Sequence, residues 1–295
     1  MSRLALTLLA SLLALPSLGV DPPARPKITG ISSVRFYVSD LSQSRIFYAK
    51  TLDPSIACIM CEERGAMPFT VSFASGQAAF FSPVKGDRPN NFLTDIYFST
   101  DDLKAMRRYL EANNIHIESP AIDVDRIQVK DPEGHNIWFT AERKPPTDST
   151  ELPLRIIHAG FIVKDSAEED KFYRDILGFR PYWHGGMKDD ETTWVSLQVP
   201  DGSDWLEYML YDDSKADKHF RGVMNHFAVG VVNIQAEAEL LTKRGWNLTE
   251  EPKLGRDGKW QLNLYDPDDT RVEFMEFTPK EKPCCSDFTA PHPKP

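Results

Sequence analysis

Two stretches of this chain, ISSVRFYVSDLSQSRIFYAKTL at residues 31–52 and IIHAGFIVKDSAEEDKFYRDIL at residues 156–177, match at a constant offset of 125. Each reads as a strand, a polar turn and a helix carrying Phe-Tyr. Two Asp-Pro turns, Asp131-Pro132 and Asp266-Pro267, match at an offset of 135, and each precedes a strand-like run. Self-similarity at this scale confines the chain to duplicated architectures, with a unit of roughly 120 residues occurring twice.

Each unit divides again. In the second, a strand around His158, a helix over 167–177 and strands through Leu210 make one half. A strand around His226, a helix over 234–244 and strands through Phe277 make the other. Ser166 and Glu169 predict a capping box, and Gly178 and Gly245 predict the two helix ends. The order strand-helix-strand-strand-strand predicts an α+β fold: four βαβββ modules paired into two domains, over 28–143 and 154–279. Each sheet is expected to curl into an open cup with helices on its outer apolar face. Residues 144–153, with Lys144-Pro145-Pro146, read as the linker between domains.

Residues 1–19 read as an export signal. Arg3 supplies a positive start, residues 4–15 an apolar core too short to span a bilayer comfortably, and Ser17-Leu18-Gly19 the small residues that a peptidase reads. A proline-rich linker, 20–27, follows, and the mature protein is expected to be periplasmic or extracellular. No other stretch is long and apolar enough to be a membrane span. A net charge of −10 argues against nucleic acid or an anionic membrane as partner. The expected partner is a small-molecule substrate, and the chain a monomer or homodimer. Cys58-x-x-Cys61 lies in a strand-like stretch and reads as a local disulfide or two plain thiols rather than a redox motif. Cys284 and Cys285 sit in a proline-rich tail, 280–295, expected to be disordered.

Candidate chemistry gathers in four apolar runs of the second unit. His158 in IIHAGFIV, Glu207 in WLEYMLY, His226 in MNHFAVGV and Glu273 in RVEFMEF are each one ligand-type side chain in a strand-like run. Alternation along a strand places Glu273 with Arg271 and Met275, opposite Val272 and Phe274. A carboxylate there is either an edge-strand surface charge or a group serving a pocket, since Glu is rarely buried unpaired. His158 precedes Glu207 by 49 residues and His226 precedes Glu273 by 47. Two halves presenting His-then-Glu at matching spacing favour one pseudo-twofold metal site. Gly160, Ala228 and Gly230 beside the histidines predict room for a ligand. In the first unit the equivalent positions are Ser33, Asp95, Trp138 and a stretch, 78–80, without a carboxylate, so that unit is expected to hold no metal.

The βαβββ order, the Asp-Pro-Asp turn before the last strand and the His158, Glu207, His226, Glu273 set resemble the vicinal oxygen chelate superfamily. Glyoxalase I, extradiol dioxygenases, methylmalonyl-CoA epimerase and antibiotic-resistance proteins belong to it. The resemblance spans residues 27–278. It implies that the four residues bind a divalent metal (Zn, Ni or Co), which chelates two adjacent substrate oxygens while Glu273, or else Glu207, moves a proton. That is the chemistry of a glyoxalase-like lyase or isomerase. Two further readings stay open: an extradiol-type dioxygenase with Fe(II) on His158, His226 and Glu273, and a non-catalytic small-molecule binding protein of the resistance type. Glu207 discriminates, because a fourth protein ligand takes coordination space that a dioxygenase needs for oxygen. The glyoxalase pattern has a glutathione-contacting arginine in the helix after Phe-Tyr, where this chain has Asp175. Lys259, Trp260, Trp183 and His184 are candidates either for the pocket wall or for ordinary loops.

Overall fold

The computed structural model describes residues 23–53, 67–84, 92–119, 125–142, 154–212 and 216–295. The export signal, Cys58-x-x-Cys61 and the linker at 144–153 lie outside the described residues. The first domain runs β1 (Ile28–Val38), α1 (Leu41–Thr51), β2 (Phe69–Ser72), β3 (Ala78–Pro83), β4 (Leu93–Thr100), α2 (Leu103–Ala112), β5 (Arg126–Lys130) and β6 (Asn136–Ala141). The second opens with β7 (Arg155–Val163), α3 (Ser166–Asp170) continued by a π-helical stretch (Lys171–Ile176), β8 (Arg180–Gly185), β9 (Trp194–Gln198) and β10 (Trp205–Leu210). It closes with α4 (Lys218–Met224), β11 (His226–Val231), α5 (Ile234–Lys243), β12 (Lys253–Leu254), β13 (Trp260–Tyr265) and β14 (Arg271–Glu276).

Strand order in the second sheet is β12-β13-β14-β11-β7-β10-β9-β8. Two βαβββ halves meet at their first strands, β7 and β11, which run antiparallel. The last strand of each half, β10 or β14, runs parallel to its first. The first sheet, β2-β3-β1-β4-β6-β5, follows the same plan, with β1 and β4 antiparallel at the centre. Among the described residues before β5, the expected extra strand appears as a single bridge between Ile117 and Val129. This is the α+β arrangement expected from the sequence.

Side-chain oxygens of Asp40, Asp102, Asp165 and Asn233 cap α1, α2, α3 and α5. The capping box expected of Ser166 and Glu169 does not form. Asp165, one residue earlier, takes the cap because its carboxylate serves the amides of Ala167 and Glu168 together. Glu169 turns inward and accepts from the Glu133 amide at 3.0 Å. Gly178 and Gly245 take φ of +79° and +76°, the left-handed conformation that ends a helix.

One apolar core runs through both domains, with Phe36 against Phe227 (5.4 Å between ring centroids) and Phe98 against Phe179 (5.3 Å). Buried Gln77 ties β1 to β7 by donating to Ile31 and Ile156 carbonyls and accepting the Ile156 amide. A second apolar cluster lies on the other face of the second sheet. Along β14, Val272 and Phe274 join the large core while Met275 joins this smaller cluster, with Tyr182, Trp183, Trp205 and Phe277.

The expectation of a disordered tail at 280–295 is corrected. This segment has no helix or strand, yet it is seated on the second sheet. Trp183 donates to the Cys284 carbonyl at 3.2 Å, the Thr289 amide to Tyr182 at 3.1 Å and Arg155 to the Lys294 carbonyl at 3.1 Å. Phe288 and His292 pack on the Tyr182 ring. Two aromatic side chains thus give a proline-rich segment enough apolar area to bury. Cys284 and Cys285 form a disulfide with each other. Among the described residues no helix is long and apolar enough to cross a membrane.

Candidate metal centre

Four neighbouring strands, β10, β7, β11 and β14, each supply one of the four ligand-type residues. Their register sets Glu207, Gly160 and His226 side by side in one row. The next row holds Trp205, His158, Ala228 and Glu273. Each carboxylate is therefore separated from the imidazole of the opposite half by one small residue. A Cβ on Gly160 would stand 2.1 Å from the His226 ring, and one on Gly230 would stand 2.2 Å from Phe277. The space that these glycines leave seats protein rings, not the ligand expected from the sequence.

The two imidazoles meet at Nε2, 3.1 Å apart. Glu273 Oε2 lies 3.4 Å from His158 Nε2 and 3.7 Å from His226 Nε2. Glu207 Oε2 lies 3.9 and 3.5 Å from the same two atoms. All four sequence candidates are brought together. Two donors about 2 Å from one ion at a tetrahedral angle stand about 3.3 Å apart, so this donor set fits a first-row divalent cation. Two imidazoles facing each other through Nε2 with two carboxylates beside them are also the ligand types such ions take.

Both histidines are fully buried, and Glu273 nearly so. Burial, then the Arg271 guanidinium and His158, hold the His226 imidazole well below its ordinary range, in the neutral form. His226 Nδ1 lies 3.2 Å from the Met224 carbonyl; donating there leaves Nε2 as the acceptor. Arg271 donates to that Nε2 at 2.6 Å and stands 3.8 Å from Glu273 Oε2. Burial alone would raise the Glu273 carboxyl, but Arg271, with His158 and His226, outweighs it and holds the group below the usual range.

Glu207 and Glu273 open on a cavity of about 390 Å³, where they, Arg271 and Lys259 meet a wall of Tyr182, Trp183, Trp194, Trp205 and Phe288. Glu207 is the more open carboxylate, its side chain 14% exposed against 3% for Glu273. Of the wall candidates read from the sequence, Trp183 and Lys259 line the cavity, whereas Trp260 and His184 do not. Sequence reasoning missed Trp205, which stands two residues before Glu207 on one strand and was readable from alternation. Phe288 carried no such signal.

In the first domain the equivalent row is filled. Trp138 donates to Asp95 at 2.5 Å, Arg35 stands 3.6 Å from the same carboxylate, and Tyr97 stacks on Trp138. Arg35 occupies the position of Gly160, so its own cation sits where the second domain gathers its ligands.

Residues 155–274 match the sequence profile of the Glyoxalase/Bleomycin resistance protein/Dioxygenase superfamily. The lactoylglutathione lyase of Haemophilus influenzae is 30% identical over 125 residues, which are 42% of this chain and 93% of that protein. The chain belongs to this superfamily. A second glyoxalase-type relative, a probable lactoylglutathione lyase of Vibrio parahaemolyticus, is 26% identical over 41% of this chain and 90% of its own length. Among solved structures, the 2,3-dioxygenase LapB from Pseudomonas sp. KL28 superposes with a TM-score of 0.61 at 14% identity, covering 92% of this chain and 96% of that one. Homoprotocatechuate 2,3-dioxygenase from Brevibacterium fuscum superposes with a TM-score of 0.58 at 17% identity, over 86% of this chain and 82% of that one. These structures share the fold across both domains.

Proposed function

We propose that His158, Glu207, His226 and Glu273 hold one divalent ion, and that the second domain is a glyoxalase-like lyase or isomerase. It would act by proton transfer on a small substrate with two adjacent oxygens. Glu207 carries this reading: its carboxylate reaches both histidines, so a fourth protein oxygen stands where a three-ligand centre would be open. A bound Zn, Ni or Co ion supplies Lewis acidity toward substrate oxygen. The remaining work falls to the chain. His226, donating through Nδ1 to Met224, presents a fixed Nε2 lone pair. Glu273, held ionised beside Arg271, can take a proton from carbon at neutral pH, with Glu207 as the second acceptor. Tyr182, Trp183 and Trp205 keep the cavity apolar, which strengthens every charge interaction within it. The glyoxalase-type relatives support the same chemistry. Residues 1–19 would direct export.

A second reading is an Fe(II) extradiol-type dioxygenase on His158, His226 and Glu273, supported by the two-domain fold shared with the 2,3-dioxygenases. Glu207 would then be a bystander. The test is to load the protein in turn with Zn, Ni, Co and Fe(II), and to assay hemithioacetals and catechols with and without air. Oxygen-independent hemithioacetal turnover that is lost in Glu207→Gln is the expected result. Oxygen-dependent catechol cleavage by the Fe(II) form, retained in Glu207→Gln, overturns it.

A further inference from the structure

Beside this centre the cavity holds a cation whose ammonium has no hydrogen-bond acceptor. Lys259 is fully buried and its ammonium makes no hydrogen bond. Asp257 Oδ2 stands 4.0 Å away, beyond hydrogen-bond reach, and the other Asp257 oxygen accepts the Lys259 amide. Around the ammonium lie the rings of Trp205 at 4.3 Å, Phe288 at 5.2 Å and Tyr182 at 5.5 Å. Ring faces attract a cation, but they do not satisfy three N–H donors as an oxygen does. Among the described residues lining the cavity, the other cations are engaged. Lys253 pairs with Glu250 at 2.6 Å, Arg256 pairs with Asp189, and Arg271 bonds His226. Of these cations Lys259 is the one without a hydrogen bond, and it stands at the Trp205 wall that also contacts the His158 ring at 4.7 Å.

We propose that Lys259 is an anion subsite for the substrate, taking one carboxylate on a flat apolar body that lies between Trp205 and Phe288. This names a substrate class: planar monocarboxylates. That the far end of such a molecule brings adjacent oxygens to the four-residue centre rests on the function proposed above; the carboxylate subsite itself does not. An ammonium whose N–H donors are not met by Asp257 at 4.0 Å offers a carboxylate direct hydrogen bonds, and the aromatic wall matches a ring better than a flexible polar chain.

The probe is benzoate, with benzamide as its neutral isostere, titrated calorimetrically into the full protein both stripped of metal and loaded with Zn. Wild type should bind benzoate about tenfold or more tightly than benzamide, with or without metal, and the titration should perturb tryptophan fluorescence. Lys259→Met should remove that preference while benzamide affinity stays within about twofold, and Lys259→Arg should restore most of it. Equal binding of the two probes by wild type, no binding of either, or a preference that survives Lys259→Met overturns the proposal. Because the stripped protein is measured, an anion preference without any metal affinity would remove the proposed reaction and leave the subsite. Metal binding without the preference would do the reverse.

Discussion

The Tyr48 phenol of the first domain donates to the Asp266 carboxylate of the second at 3.0 Å. Tyr173 of the second domain donates in return to Asp131 of the first at 3.1 Å. The Phe-Tyr pairs and Asp-Pro turns that mark the chain's self-similarity are therefore partners of one another, and each bond crosses between domains. Burial first, then the facing carboxylates, push both phenols well above their ordinary range, so they remain donors.

Tyr48→Phe should cost about 1–2 kcal/mol, because Asp266 loses one donor in a dry site but keeps the amides of Asp268 and Thr270. Urea denaturation of this variant and of Tyr173→Phe should show midpoints shifted down by similar amounts. A shift in one variant with none in the other would break the symmetry argued from these bonds.

Stability should depend on pH through Glu169. Burial, then the nearby Asp131, push its carboxyl up from an ordinary 4.5 to about 9. The folded chain thus keeps a proton that the unfolded chain releases. The stabilisation is full below about 4.5 and is lost as pH rises through about 9. Glu169→Gln keeps an acceptor for the Glu133 amide and does not titrate. Melting temperatures across pH 5 to 9 should therefore fall less steeply in Glu169→Gln than in wild type, and parallel curves would contradict this account.

Gly160→Ala should displace the His226 ring, since the added methyl would stand 2.1 Å from it. The backbone at Gly160 is outside the positive-φ set, so strand structure should persist. Metal affinity, measured by competition with a chromophoric chelator, should fall by about 10–100-fold, with the far-ultraviolet circular dichroism unchanged. Unaltered affinity would show that the row geometry is not what seats the histidine.

Arg271→Met should act in the other direction. Its guanidinium takes the His226 Nε2 lone pair and places a fixed positive charge beside the donor set. Removing it should raise affinity for a divalent ion by about tenfold, as expected when a like charge a few ångströms away is deleted. The same chelator competition reads the effect, and a fall in affinity would make Arg271 an organiser of the site instead of a competitor.

Metal content should be one ion per chain, bound in the second domain, and should be lost in His226→Ala. Mass spectrometry of the purified protein counts it directly, and two ions per chain would contradict this.

His158, Glu207, His226 and Glu273 are legible in the sequence because a ligand-type side chain is costly in an apolar strand and stands out there. Their convergence is legible because His-then-Glu recurs at nearly equal spacing. The partner of Gly160 is not, since it depends on the pairing of β7 with β11, which no local pattern states. Lys259 sits in GRDGKW, a composition shared by ordinary turns, and only burial under Phe288 gives it a distinct environment. The seat of the tail likewise depends on contacts between Phe288 and Tyr182, more than a hundred residues apart. At α3 two adjacent residues, Asp165 and Ser166, could each have capped the helix, and the charged one prevailed.

The four ligand-type side chains come from four adjacent strands, two on either side of the junction between β7 and β11. A slip of one residue along that junction would turn His226 and Glu273 toward the helices while His158 and Glu207 kept their face of the sheet. Shear between the two halves, whether from heat, from pulling along the strands or from a proline placed at the seam, would therefore break the donor set in a single step and not ligand by ligand. An ion held there behaves as a rivet through the seam, and its release is a gauge of whether the seam is intact.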